Sequence, residues 1–511
     1  MAKINWLDAL NLKQAVENIR NEIPGDWYQD PWGWPELGFF LEKKPELIVD
    51  NLNALGVRAL TLLDVPKENW GTRPAVILDI ADRLTYHALT DCLSAKLIGS
   101  MSPDVYGWRL PPIDPSPGVY SHNNHQWDGY RGHLMLLSDL YPVALKTDLV
   151  SFFASIPVAM AQEAILDRCP HNDVTRRLCD MIAGFGAIPN RSGIMQRSTA
   201  SAVIANMYLA PLDDVLKHHS KSIMRLSNGK VSHRSFARWM DDFWLFGYDA
   251  GNARQAQMDL QAAALSIGLN LNSAKTDVLE GSEVATQAKE IEHSAVDGAL
   301  DGDTPDFGPL EALVDKIMGN PEKTNRTSIR FATQRMRKHG SQYRIQELIA
   351  TACRMPHAAD SWSRLFKEVF TNDSLQDWYL EYVSSNWATH EWAIAHLGRM
   401  FPSSVKPRKP LLEYFEQAIR DANTGLPLLA VAAQRMGEWD RDEARDAYRE
   451  GYRRSATPHA RRVLALAALK SGESRTTVKG WLSTDVENAP TLAMLESFGW
   501  NGPKVQADFA E

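Results

Sequence analysis

The sequence predicts an α+β domain followed by an all-α domain of helical repeats. Strand-like and helix-like patterns are mixed up to about residue 290, the mark of an α+β arrangement. Residues 293–309 (HSAVDGALDGDTPDFGP) are acidic and rich in Gly, Asp and Pro, which is linker composition. Beyond them the pattern is helical throughout, in pairs of roughly 35–45 residues, as in a degenerate α-solenoid. The predicted organisation is an N-terminal extension (1–55), the α+β domain (56–292), the linker (293–309) and the helical domain (310–511).

The first 55 residues read as irregular and helical, with a loop at Pro24–Pro35 (PGDWYQDPWGWP). Residues 56–80 alternate as two strands joined by a turn at Lys67–Gly71, and 81–98 are amphipathic and helical. A short apolar strand is predicted at 142–150, then helices to about 218 with a break near Gly184–Gly193. Residues 234–247 (RSFARWMDDFWLFG) read as strand–turn–strand, 251–268 as helix and Leu269–Leu279 as extended. Further helices are predicted at about 310–339, 342–355, 359–371, 376–398, 409–420, 425–435, 440–453, 458–471 and 475–498.

The composition, 44% hydrophobic and 23% charged, excludes a disordered chain. With no apolar stretch of ~18 residues and no signal-peptide core, no membrane span and a cytoplasmic location are expected. Cys92, Cys169, Cys179 and Cys353 match neither zinc-ligand nor disulfide spacing. The net charge of −8 argues against a protein that grips long duplexes without regard to sequence.

Asp241 and Asp242 stand between two β-prone, aromatic-rich arms containing Phe236, Trp239, Phe243, Trp244 and Phe246. An Asp–Asp pair alone is most often a turn. Acids at the tip of a buried hairpin, however, pay a desolvation cost unless a cation sits beside them. Asp148 ends the predicted strand Val143–Leu149. One carboxylate from that strand and one or two from the hairpin suit a pair of Mg²⁺ ions about 3.5–4 Å apart, the arrangement for in-line phosphoryl transfer.

These motifs resemble those of bacterial reverse transcriptases. Arg238–Phe246 (RWMDDFWLF) resembles the catalytic Asp–Asp box, and Lys146–Phe153 (KTDLVSFF) the first catalytic-Asp motif. Gly193-Ile194-Met195-Gln196, with Ser201, Asn206 and Leu209, resembles the motif between them, and Gly268–Thr276 (GLNLNSAKT) the one that follows. Val65-Pro66-Lys67 through Gly71, Arg73 and Pro74, then Asp82-Arg83, resemble the fingers motifs, and Tyr106-Gly107-Trp108-Arg109 a further small box. The elements stand in family order over 56–280.

The resemblance implies a reverse-transcriptase fingers and palm domain. It implies Asp148, Asp241 and Asp242 as catalytic carboxylates, with Leu149 beside them at the metal and nucleotide, and Mg²⁺, or Mn²⁺ in its place, as cofactor. It implies Phe153 as the side chain that excludes a 2′-hydroxyl, Gln196 at the incoming deoxynucleoside triphosphate, Lys67 and Arg73 against its phosphates, and Lys275 as proton donor to pyrophosphate. Two positions depart from the family. Met195 and Arg197 stand where Pro and Gly flank the Gln, and the glycine is where a template strand approaches closely.

Polymerase motifs followed by a long helical region are similar to the abortive-infection (Abi) and defence-associated reverse transcriptases, as is Ser328–Ala332 (SIRFA). That resemblance implies a HEAT-like helical-repeat domain and a role in antiphage defence. In the Abi branch it implies untemplated, protein-primed DNA synthesis, a covalently attached single-stranded DNA product and a homo-oligomer, trimeric or hexameric. Tyr28, Tyr120 and Tyr130, in loop-like stretches, are the priming candidates. The alternatives are an RNA-templated enzyme with a partner non-coding RNA, and a non-catalytic scaffold that binds a phage or host protein.

Other clusters read less sharply. Arg326, Arg330 and Arg337 fall on one helical face, either a nucleic-acid groove or a solvated surface. The pairs Arg453-Arg454 and Arg461-Arg462 read as surface, and Trp387/Trp392 and Trp439/Tyr448 as helix packing. His122 and His125 lack a third ligand at a metal-binding spacing.

Overall fold

A computed structural model describes residues 6–42, 60–188, 193–225, 231–289, 291–300 and 305–502. The chain forms two compact units: Met1–Gly25, Lys44–Val57 and Asp82–Ile291 in the first, and Asp26–Lys43, Arg58–Ala81 and Glu292–Glu511 in the second. The described strands are β1 Leu60–Pro66, β2 Thr72–Leu78, β3 Val105–Tyr106, β4 Val143–Thr147, β5 Ser222–Arg225, β6 Val231–Arg234, β7 Phe236–Trp239, β8 Asp242–Gly247 and β9 Asp277–Glu280.

The first unit is mixed α/β. Its main sheet has the order β3-β7-β8-β4-β9, with β3 parallel to β7 and the other pairs antiparallel. Side chains alternate across a strand, so Trp244 and Phe246 of β8 point to one face. There they pack with Tyr130, Leu134 and Leu137 of helix Asn123–Leu140 and with Val284 and Ala288 of helix Ser282–Ala288. Helix Ala250–Ser266 covers β4, β8 and β9. Its contact face is Ala253, Ala256, Leu260 and Ala264, mostly small, and Asp249 caps its first turn by accepting from Asn252 N at 2.8 Å. A sheet covered in this way favours apolar runs, and β4 and β8 have them. Helix Thr199–Tyr208 is buried along nearly its whole length.

In the second unit β1 and β2 form an antiparallel hairpin, Leu60 opposite Leu78 and Pro66 opposite Thr72. Most of the unit is a stack of helices. Helix Leu426–Trp439 packs on Lys409–Arg420 before it and Arg441–Arg454 after it, and also on Glu391–Gly398 and Pro458–Lys470. Packing on both the next helix and the next but one is how helical hairpins stack in layers.

Three expected helices are each two. The segment 310–339 breaks between Gly308–Gly319 and Arg326–His339, where Pro321 cannot continue a helix. The segment 376–398 divides into Asn372–Ser384 and Glu391–Gly398, and 475–498 into Arg475–Leu482 and Ala489–Ser497, the last with Pro490 in its first turn. Within 293–309, residues up to Leu300 continue helix Ile291–Leu300, and 301–304 lie outside the described residues. Four residues of the expected break near Gly184–Gly193, 189–192, do so as well.

Arg462, expected at the surface, is buried. Its guanidinium meets Asp30 Oδ1 at 2.7 Å and both oxygens of Glu36 at 2.8 and 2.9 Å, and lies 4.5 Å from the Trp34 ring centroid. Thr491 Oγ1 donates to Glu36 Oε1 at 2.6 Å. Two acids in apolar surroundings require a cation, so the arginine follows them into the core. Among the clustered basic residues of helix Arg326–His339, Arg326 pairs with Asp360, Arg335 with Asp297 and Arg337 with Glu368. Trp392 is buried, whereas Trp387 is 41% exposed, outside a helix, and packs on Trp70. No helix among the described residues is long and apolar enough to cross a membrane.

Candidate active site

β7 and β8 are joined by a two-residue tip, Met240-Asp241, with Trp239 paired to Asp242. Such tight turns favour a positive φ at a central residue, and Met240 takes it at 53°. A non-glycine residue there is strained, and a buried arginine stabilises it. Arg238 donates to Met240 O at 2.8 Å and to Asn206 Oδ1 at 2.9 Å, while Asp213 accepts from it through both oxygens at 2.6 and 2.9 Å. Asn206 donates in turn to Gly107 O at 3.0 Å. The tip is therefore held from behind by charge-assisted bonds.

β4 runs antiparallel to β8 with Thr147 opposite Phe243. The ladder ends at that pair, which Asp148 directly follows in β4's direction and Asp242 directly precedes in β8's. The segment after helix Ala250–Ser266 borders Asp148 on its other side: Val150 N donates to Asn270 O at 3.0 Å, Leu149 bridges Leu271, and Asn272 N donates to Asp148 O at 2.8 Å. The expected extended run tightens there into a 3₁₀ turn, Ser273–Lys275, which directs Lys275 Nζ to Asp148 Oδ2 at 2.8 Å. Leu149 itself is buried.

The other oxygen, Asp148 Oδ1, is buried and accepts no hydrogen bond among the described residues. Burial pushes Asp241 up to about 6, and the Asp148 and Asp242 carboxylates push in the same direction. Burial also raises Asp242, against a hydrogen bond from Tyr130 and the charge of Lys146. The three carboxylates and the unsatisfied oxygen offer hard-oxygen donors, the type that Mg²⁺ and Mn²⁺ take.

Phe153 and Gln196 lie on two segments in backbone contact. Ile194 N donates to Phe153 O at 2.9 Å. Gly193 has φ 78°, and a Cβ on it would fall 2.0 Å from Phe153 O, so only glycine fits. Phe153 and Gln196 are both half-buried. Arg197, exposed, has φ 59°, so its backbone keeps the left-handed shape that glycine adopts most easily.

The tyrosines separate. Tyr130 lies in helix Asn123–Leu140, not in a loop, is buried, and donates from Oη to Asp242 Oδ2 at 3.0 Å. The helix forms because His122 caps it: its Nδ1 accepts from Asn124 N at 3.3 Å. Tyr120 is in a loop, half-buried, and donates to Asp91 Oδ1 at 2.7 Å. Tyr28 is buried in the second unit beside Asp30, where burial raises its hydroxyl well above the usual range. Lys67 and Arg73 lie on the β1–β2 hairpin, also in the second unit, with the Arg73 guanidinium 5.1 Å from the Trp27 ring centroid.

Asp148, Asp241, Asp242, Lys275 and Tyr130 thus gather at one end of the sheet. Sequence reasoning missed Asp213, which holds Arg238. The arginine three residues before Asp241 was a visible signal; its partner, 25 residues upstream of Arg238, was not. Comparison of the sequence with models of known protein families and with curated proteins gives no match.

Proposed function

We propose that this chain is a nucleotidyltransferase of the reverse-transcriptase kind that builds DNA from deoxynucleoside triphosphates. The observation that carries the reading is the unsatisfied, buried Oδ1 of Asp148, at the end of the strand that pairs with the Asp242 strand, beside Asp241. In this reading the sheet is a palm, and Asp148, Asp241 and Asp242 hold Mg²⁺ or Mn²⁺. Bound there, the ions neutralise phosphate charge and acidify the attacking hydroxyl. Lys275, paired with Asp148, would offer its ammonium to the departing pyrophosphate. Phe153 sits against the sugar and Gln196 beside the incoming nucleotide. The helical stack is read as HEAT-like, and the protein as a homo-oligomer of an antiphage system.

Untemplated synthesis primed by a protein hydroxyl is the leading form. Incubation of the purified chain with labelled precursors, Mg²⁺ and no nucleic acid should label the protein, and Asp241→Asn should not. Extension of an annealed primer without any label on the protein would overturn this form. A templated enzyme that uses a partner RNA is the second reading. The glycine-like φ of Arg197 favours it, because the backbone path beside Gln196 survives the departure from glycine. Co-purified RNA whose complement appears as product would select it.

A further inference from the structure

We infer that the first unit contains a zinc site, separate from the three aspartates, formed by Asp104, His133 and His233. The three residues come from the loop before β3, from helix Asn123–Leu140 and from β6. One ligand atom from each lies within 4.8 Å of the others. Asp104 Oδ1 and His233 Nδ1 are 3.0 Å apart, and the two imidazole centroids 4.6 Å. Tetrahedral Zn²⁺, with bonds of about 2.0–2.2 Å, sets its ligands roughly 3.3–3.5 Å apart. Small side-chain rotations would therefore bring the three atoms to ligand spacing around one ion. The Arg234 carbonyl, hydrogen-bonded to His133 Nε2 at 3.2 Å, would stand at ligand spacing as a fourth donor once an ion replaced the Nε2 proton.

The surroundings are those of a metal site. Tyr106 Oη donates to His133 Nδ1 at 3.1 Å, while Nε2–H donates to the Arg234 carbonyl; an ion on Nε2 would replace that proton and turn the Tyr106 contact round, with Nδ1–H donating to Oη. Ser102 Oγ donates to Asp104 Oδ2 at 2.9 Å, and Oδ1, which accepts from Arg234 N at 3.1 Å, keeps its second lone pair toward His233 for the ion. Asp104 and His133 are buried, while the His233 side chain is 30% exposed and gives an entry path. Two imidazoles with one carboxylate select a borderline cation such as Zn²⁺ over Mg²⁺. The ion would clamp β6 to the helix that carries Tyr130, one turn before His133.

Metal analysis of the full chain, expressed without a polyhistidine tag and dialysed against metal-free buffer, tests this. One zinc per chain is expected. His233→Ala should lose it, and Asp241→Asn should keep it. Reconstitution with Co²⁺ should give the visible absorption of a tetrahedral site. Tyr106→Phe should weaken zinc roughly 10–100-fold, as loss of an outer-shell partner does. Wild-type protein that binds no zinc, or His233→Ala that binds it equally, overturns the site. If His233→Ala fails to fold, zinc titration and the Co²⁺ spectrum of the wild type decide: a silent spectrum means a hydrogen-bonded His–Asp cluster only.

Discussion

Tyr130 Oη donates a hydrogen bond to Asp242 Oδ2 at 3.0 Å. The bond favours the ionised carboxylate, against the burial that raises Asp242. Tyr130→Phe removes the donor and leaves the burial. Asp242 then rises further, and the acid limb of the pH–rate profile moves to higher pH. A hydrogen bond to a charged group is worth ~1.5–3 kcal/mol, so the limb should move by about one to two pH units. Initial rates of nucleotide incorporation across pH measure it. An unchanged profile would deny Tyr130 the positioning role. Loss of label from the protein, with extension of an added primer retained, would make it the priming hydroxyl instead.

Asp241 ties stability to pH. Its folded value of about 6 stands above the ordinary carboxylate value. The unfolded chain releases that proton more readily, so stability is greatest below pH ~4 and falls as pH rises through 6, by about 3 kcal/mol. Without divalent metal, Asp241→Asn should therefore melt higher than wild type at pH 7 and equally at pH 4. Mg²⁺ should raise the wild-type Tm and leave the variant almost unmoved. Differential scanning fluorimetry with and without EDTA checks both outcomes, and a magnesium response identical in the two proteins would remove Asp241 from the ligand set.

Gly193 and Arg197 should respond in opposite senses. Gly193→Ala places a methyl group into the Phe153 carbonyl and should abolish incorporation along with much of the soluble yield. Arg197→Gly relieves a left-handed strain of ~1–2 kcal/mol and loses ~0.5–1 kcal/mol to chain entropy, so its Tm should change little. Its diagnostic measurement is extension of an annealed primer–template, which should increase if the side chain obstructs a template.

Arg462→Met should destabilise the second unit by about 3–5 kcal/mol, because Asp30 and Glu36 then remain buried without a cation. Urea denaturation measures the loss. Faster proteolysis within 26–43 would locate it.

The hairpin with its acids was legible because the 234–247 stretch has only one good reading: strong β formers on both sides of two acids that cannot form a core. The strand before Asp148 was legible for the same reason. The breaks near Pro321 and Pro490 carried a signal that the helical periodicity on either side outweighed. Other features depended on distant partners. Nothing around Arg462 announces Asp30 and Glu36, and a pair of adjacent arginines normally reads as surface. Tyr130 looked loop-like because Gly129 and Gly132 flank it, yet the cap at His122 and the apolar face at Leu134 and Leu137 make it helical. His133, which completes the Asp104–His233 cluster, is invisible in one dimension because the three residues span 130 positions of chain.

The contact of Arg462 with Glu36 joins residues 426 positions apart. During synthesis at ~5–20 residues per second, Glu36 leaves the ribosome roughly 20–90 s before its partner is made. Over that interval Trp27, Trp32, Trp34, Phe39 and Phe40, all buried in the finished fold, have no core to enter. The second unit can close only after Arg462 has been made, so a newly made chain carries its aromatic segment exposed over that whole interval.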